Sequence, residues 1–253
     1  MTDATEARLL ELVQTRAGVS RRRAEELVRE GEVEAGEQVV TDPFLLVDPV
    51  VVVTLRVRGQ PLSLLPPSLR IYRYHKPAGV LCSHDDPHAG ETVGRVLRAG
   101  GFIGYTFAGR LDRESEGLVL LSNDGDLVLH LSHPRYEVEK VYRVTLGRVP
   151  PSPDLRRILD QMRQGIEDEG ETLRIARGEV EERPPRAVVT LTEGKKREVR
   201  RLFARFGLEA TRLVRLAIGP IPLGDLPPGG IERLSPDEEV RLRKAVGIAH
   251  PRS

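Results

Sequence analysis

The chain has 253 residues, 39% apolar and 30% charged, with a formal net charge of +1. This composition fits a globular protein with a core of its own, and the total charge alone points to no nucleic-acid partner. No apolar run approaches the roughly 20 residues of a membrane span, Met1–Arg8 is polar rather than signal-like, and the single cysteine, Cys82, excludes an internal disulfide and a cysteine-built metal site and suits a reducing cytosol.

Residues 6–57 read as a small unit. Glu6–Thr15 is helical in pattern through Leu9, Leu10, Leu12 and Val13. Ser20 suits the N-cap of a second helix, Arg21–Glu30, which Gly31 ends. Short strands follow at Val33, Val39-Val40 and Val50–Leu55. Residues 58–68 carry prolines and a glycine and read as a linker. From residue 69 to 248 the pattern is that of a larger domain. Ile71–Tyr74 alternates as a strand and turns at Lys76-Pro77-Ala78-Gly79. Gly117–Leu121 is an apolar run, read as a buried strand, and ends in Asn123-Asp124-Gly125-Asp126. A short helix or turn at Asp126–Ser132, a strand at Glu139–Leu146, a helix at Asp154–Gln164, a strand at Ala187–Leu191 and a helix at Arg197–Phe206 come next. Ser235-Pro236-Asp237-Glu238 is a capping box that opens a last helix. Strands outnumber helices and the connections are irregular, so an α+β fold on a mostly antiparallel mixed sheet is expected, preceded by a small α/β module.

The most informative stretch is Gly109-Arg110-Leu111-Asp112-Arg113-Glu114-Ser115-Glu116-Gly117-Leu118. It places one carboxylate, Asp112, between two arginines at the edge of a buried strand. Nearby positive charge keeps a carboxylate ionised and available as a nucleophile. On the strand 139–146, alternation puts Lys140, Tyr142 and Val144 on one face. A tyrosine beside a lysine suits a site that stacks a base and holds a phosphate; a tyrosine of the sheet core gives the same pattern. On the helix 197–206, Val199, Leu202, Phe203 and Phe206 form an apolar stripe with Arg200 on its flank, where it can reach a semi-buried carboxylate such as Asp112 or simply cover apolar surface with its stem. Between Gly194 and Arg215 eight basic residues face two acidic ones, and Arg16 with Arg21, Arg22 and Arg23 makes a second basic cluster. Such patches fit phosphate contact through one face, and equally a solvated helix surface. His84, His88, His130 and His133 lack the spacing of a metal site, and no phosphate-binding loop or dinucleotide fingerprint is present.

Several of these strings resemble one family. Gly109-Arg110-Leu111-Asp112 with Ser115-x-Gly117-Leu118 and Ser122-Asn123-Asp124-Gly125 is similar to the signature of RNA pseudouridine synthases. Lys76-Pro77-x-Gly79, Lys140-x-Tyr142, the string Glu193–Arg201 and the string Ile218–Gly224 resemble its ribosomal-RNA branch, and residues 6–57 resemble the alpha-L RNA-binding module of that branch, with Glu34-Ala35-Gly36 in place of its usual Val-Asn-Gly turn. The resemblance implies conversion of uridine to pseudouridine in ribosomal RNA without a cofactor or metal. Asp112 would be the nucleophile, Tyr142 the residue packed on the base and Arg200 the partner of the aspartate. It further implies substrate contact by Arg110, Lys76, Lys140 and Val199, and RNA contact by Arg16, Arg21, Arg22, Arg23, Lys195, Lys196, Arg197 and Arg201. The Arg197-Glu198-Val199-Arg200-Arg201 form favours the large-subunit RNA. The expected partner is ribosomal RNA or an assembling subunit, acted on by a cytoplasmic monomer. Two rivals are a non-catalytic RNA-binding factor and a carboxylate-dependent hydrolase of nucleotides.

Overall fold

A computed structural model describes residues 7–17, 19, 21–47, 54–62, 69–88, 90–102, 104–182 and 185–248. The chain divides into two compact units. One comprises residues 1–69 with 97–106, the other residues 70–96 with 107–253.

In the smaller unit, helices Leu9–Ala17 and Arg21–Arg29 bury Leu9, Val13, Ala24, Leu27 and Val28 against Val33 and Leu55 of a short antiparallel sheet. The strands of that sheet run in the order Gln38–Val40, Val33–Ala35, Leu55–Val57, Gln60–Leu62. The second helix ends at Gly31, whose backbone has a φ of 73° and whose N–H closes on the Val28 carbonyl. The expected cap Ser20, the residues 50–53 of the expected strand, and residues 63–68 of the expected linker lie outside the described residues. The first part of that linker is not a linker. Arg58 and Gly59 both adopt positive φ and turn Leu55–Val57 back onto Gln60–Leu62. Two consecutive left-handed residues match the twist of a tight hairpin. Pro61 is tolerated there because its strand is at the sheet edge.

The larger unit is built on a mixed sheet. Its strands run in the order Arg177–Glu182, Pro185–Leu191, Lys140–Leu146, Ala210–Ile218, Glu116–Ser122, Ile71–Lys76, Ile231–Arg233. All neighbours are antiparallel except Glu116–Ser122 with Ala210–Ile218, which are parallel. Glu116–Ser122 is buried along its whole length, as a strand with cover on both faces must be. Its Leu118 and Leu120 join Ile71, Leu127, Leu131, Val214, Ile218 and Leu242 in the core. Lys140–Leu146 alternates buried and half-buried, with Lys140, Tyr142 and Val144 on the buried face. Asp124 starts the helix Gly125–Ser132 by accepting the Leu127 N–H at 3.1 Å, and is held in turn by Arg243 of the last helix at 2.7 Å. The last helix, Pro236–Ala245, opens with the expected capping box of Ser235 and Glu238. No helix among the described residues is long and apolar enough to cross a membrane.

Candidate active site

Asp112 sits in a loop that is pinned from several sides. The Gly109 N–H donates to Ser132 Oγ at 2.8 Å, and the Leu111 N–H to the buried thiol Sγ of Cys82 at 3.3 Å. The Gly79 N–H donates to the Arg113 carbonyl at 2.7 Å, and Arg113 Nε returns a bond to the Gly79 carbonyl at 3.2 Å. The Ser115 N–H closes a turn on the Asp112 carbonyl at 3.1 Å. With the backbone spent in this way, the half-buried Asp112 side chain is left facing a cavity of about 570 Å³. Tyr142 lines the same cavity, as do Arg110, Leu111, Glu114, Leu191, Lys195, Lys196, Arg197, Glu198, Val199 and Leu213. Sites of this size are large enough to receive a nucleoside.

The sheet explains why these groups meet. Lys140–Leu146 and Glu116–Ser122 flank the same strand, Ala210–Ile218, so the tyrosine and the loop before Glu116 are two strands apart at one level. Tyr142 pairs with Arg215, and Arg215 pairs with Gly117. The third wall is the start of the helix Glu198–Ala204, where Arg197 takes the left-handed conformation at φ 54°. Glu198 is buried there and accepts the Lys195 N–H at 3.0 Å. Burial pushes its carboxyl above the ordinary carboxylate value, against the pull of that hydrogen bond.

The expected pairing of Arg200 with Asp112 is absent. Arg200 Nε lies 3.8 Å from Glu114 Oε1, Arg197 pairs with the same carboxylate, and a second Arg200 nitrogen donates to the Ala210 carbonyl. The cause is the turn at Asp112–Ser115, which carries Glu114 outward to the helix start, where residues three apart in sequence converge on it. A hydrogen bond from its own N–H, helped by Arg197 and then Arg200, holds Glu114 below the usual carboxylate range. Among the described residues no cation stands within 4 Å of the Asp112 carboxylate.

A sequence model of the family described as RNA pseudouridylate synthase matches residues 70–205. This chain belongs to the RNA pseudouridine synthase family. The synthase is thus an isomerase that acts on RNA. It is 38% identical over 246 residues to an RNA pseudouridine synthase of Mycobacterium leprae (strain TN), covering 94% of this chain and 93% of that protein. It is 33% identical over 244 residues to the ribosomal large subunit pseudouridine synthase B of Bacillus subtilis (strain 168), covering 92% and 95%. A solved pseudouridylate synthase superposes with a TM-score of 0.63 at 25% identity, covering 93% of this chain and 99% of that one.

Not every residue expected at the site of the synthase lies there. Lys76 and Lys140 are buried, and their ammonium groups turn to backbone carbonyls. Lys76 Nζ donates to the carbonyls of Pro77 at 2.9 Å and Val80 at 2.8 Å, and Lys140 Nζ to that of Val138 at 3.0 Å. Arg201 is engaged by Asp168 and Glu171, both at 2.6 Å, and so braces the hairpin Ile166–Leu173 rather than a phosphate. Arg215, one of the eight basic residues counted toward a surface patch, is wholly buried. Lys195 is spent on the Thr172 carbonyl and Glu193. Lys196 and Arg197 are exposed at the cavity. In the smaller unit, Arg22 and Arg23 pair with Glu26 at 3.3 and 3.0 Å, Arg21 is exposed, and Arg16 is half-buried at the end of the first helix.

Burial, and then the charge of Arg215, bring Lys140 down from 10.5 to about 8, against the opposing pull of Glu198. A lysine lowered in this way binds fewer protons folded than unfolded, so its penalty is fully present below pH 8 and fades as pH rises towards 10.5. Replacing Lys140 by Met is therefore expected to help stability more at pH 7 than at pH 10, by about 2–3 kcal/mol. Urea unfolding of both proteins at the two pH values measures this, and a difference independent of pH would refute it.

Proposed function

We propose that the synthase isomerises a uridine of large-subunit ribosomal RNA, with Asp112 as the nucleophile. The observation that carries the reading is one cavity into which both Asp112 and Tyr142 open. A uridine flipped out of its stack costs a few kcal/mol to extrude and needs an aromatic surface to receive it; Tyr142 provides that surface, with Val199 and Leu213 as the apolar walls. The Asp112 carboxylate attacks C1′ of the ribose, and the bond from C1′ to N1 breaks. The freed uracil anion turns, C5 attacks C1′, and the carboxylate leaves. The proton on C5 is lost, N1 gains one, and the product is an isomer of the substrate. Tyr142 is suited by position to take the C5 proton. Arg200 acts on Asp112 at second hand, by holding Glu114 and the loop between them. The exposed Arg110 stands next to the nucleophile in sequence and is available for a flanking phosphate or for the gap left by the base.

The name of the Bacillus subtilis relative supports the large-subunit RNA as the substrate. Transcripts of both ribosomal RNAs carrying tritium at uracil C5 test this. Release is expected from the large-subunit transcript or from its partly assembled subunit. Release only from the small-subunit RNA would overturn the choice of RNA, and no release from any ribosomal RNA would overturn the reading.

A further inference from the structure

Arg215 is the largest side chain wholly buried in the described structure, and it sits where three parts of the site meet. Its residue pairs with Tyr142 on one side and with Gly117 on the other. Its Nε donates to the Leu118 carbonyl at 2.6 Å, and Nη1 to the carbonyl of Arg110 at 3.3 Å, two residues before Asp112. Nη2 is buried without a hydrogen-bond partner. Among the described residues no carboxylate stands within 4 Å of the guanidinium.

A buried guanidinium with neither a carboxylate partner nor a full set of acceptors is unfavourable. Tying two carbonyls together needs only neutral donors, so the charge itself calls for a use. The anionic group nearest in the chain to its ligand Arg110 is Asp112. Burial, and then the charge of Arg215, lower the ammonium of the neighbouring Lys76, against the opposing pull of Cys82 and then Asp112.

We infer that Arg215 is a positioning residue for the isomerisation: it fixes the carbonyl of Arg110, and so the entry of Asp112 into the cavity, and it sets an uncompensated positive charge behind that loop. The inference rests on the reading of Asp112 as the nucleophile. A displacement of about 1 Å in a reacting group costs on the order of 100-fold in rate. Arg215→Met should therefore lower kcat for tritium release about 100-fold, while KM and the RNA affinity in a filter-binding assay stay within about threefold of wild type. Arg215→Lys keeps the charge and should recover about tenfold of that loss. Hydrogen exchange needs no turnover and should show faster exchange of the 109–115 amides in Arg215→Met, with the rest of the sheet unchanged. Absence of release by the wild type would defeat the functional reading and leave exchange to decide the anchoring. Unaltered kcat, unaltered exchange in the loop, or a general loss of folding in both variants would each overturn the role proposed for Arg215.

Discussion

Asp112→Asn is expected to lower tritium release by about 10⁴-fold or more while RNA affinity stays within about threefold. Asparagine keeps the size of the side chain and removes its charge, which a nucleophile at C1′ cannot lose. The substitution leaves the loop in place, because its anchors are backbone groups of Gly109, Leu111, Arg113 and Ser115 rather than the Asp112 carboxylate. The variant should therefore fold and bind. Its binding separates the enzyme from a non-catalytic RNA-binding factor, which would be indifferent to the change. A hydrolase would instead release uracil or cleave the chain, and chromatography of the digested product distinguishes that from pseudouridine. Retention of more than about a tenth of wild-type release would end the assignment of Asp112 as nucleophile.

Glu114 changes what Arg200 can be asked to do. An arginine held on a neighbouring carboxylate leaves Asp112 without a direct ion pair in the resting protein. A paired carboxylate is a weaker nucleophile than one held by more distant charge. The arrangement found here, with Arg197 and Arg200 on Glu114 and the buried Lys76 and Arg215 deeper in the protein, leaves Asp112 open to the cavity. Lys196 and Arg197 stay exposed at the same cavity.

The parts of the site carried by regular alternation were legible in the sequence. Lys140, Tyr142 and Val144 share a buried face as their spacing requires, and Val199 lies on the buried side of its helix. The strand that joins these parts was not legible. Ala210–Ile218 contains Thr211, Arg212 and Arg215, and its burial does not alternate. Leu213, Val214 and Arg215 are buried in succession, as in a central strand with cover on both faces, and two register shifts against Lys140–Leu146, between Val141 and Tyr142 and between Thr145 and Leu146, interrupt the pattern on either side. By sequence alone Arg215 therefore counts with the surface arginines. The same limit applies to Lys76, Lys140 and Arg201. Sequence shows that a basic residue is present, but not what captures it: Lys76 and Lys140 are buried and turn back on carbonyls one to four residues away, and Arg201 meets carboxylates some thirty residues distant. Arg58-Gly59 reads as linker for a related reason, since a tight hairpin and a flexible joint use the same residue types.

Gly117→Ala is expected to destabilise the synthase by about 2–6 kcal/mol, the sum of backbone strain and overpacking. A Cβ at Gly117 would lie 2.4 Å from the Arg215 carbonyl oxygen and 2.5 Å from its nitrogen, and the residue has a φ of +112°. Neither atom can move aside, because the Arg215 backbone is held by Tyr142 on its other flank. Spacing between two parallel strands is thus set by a missing side chain, and this gives the glycine in the Asp112 string a physical reason. Gly125→Ala is the control: nothing lies within 4 Å of its Cβ position, its φ is not positive, and it is in a helix, so little change is expected. Urea unfolding of the two variants decides between them. A Gly117→Ala protein as stable as wild type would mean that the two strands can separate without loss, and the link from Arg215 through Leu118 to the Asp112 loop would then be too soft to place a nucleophile.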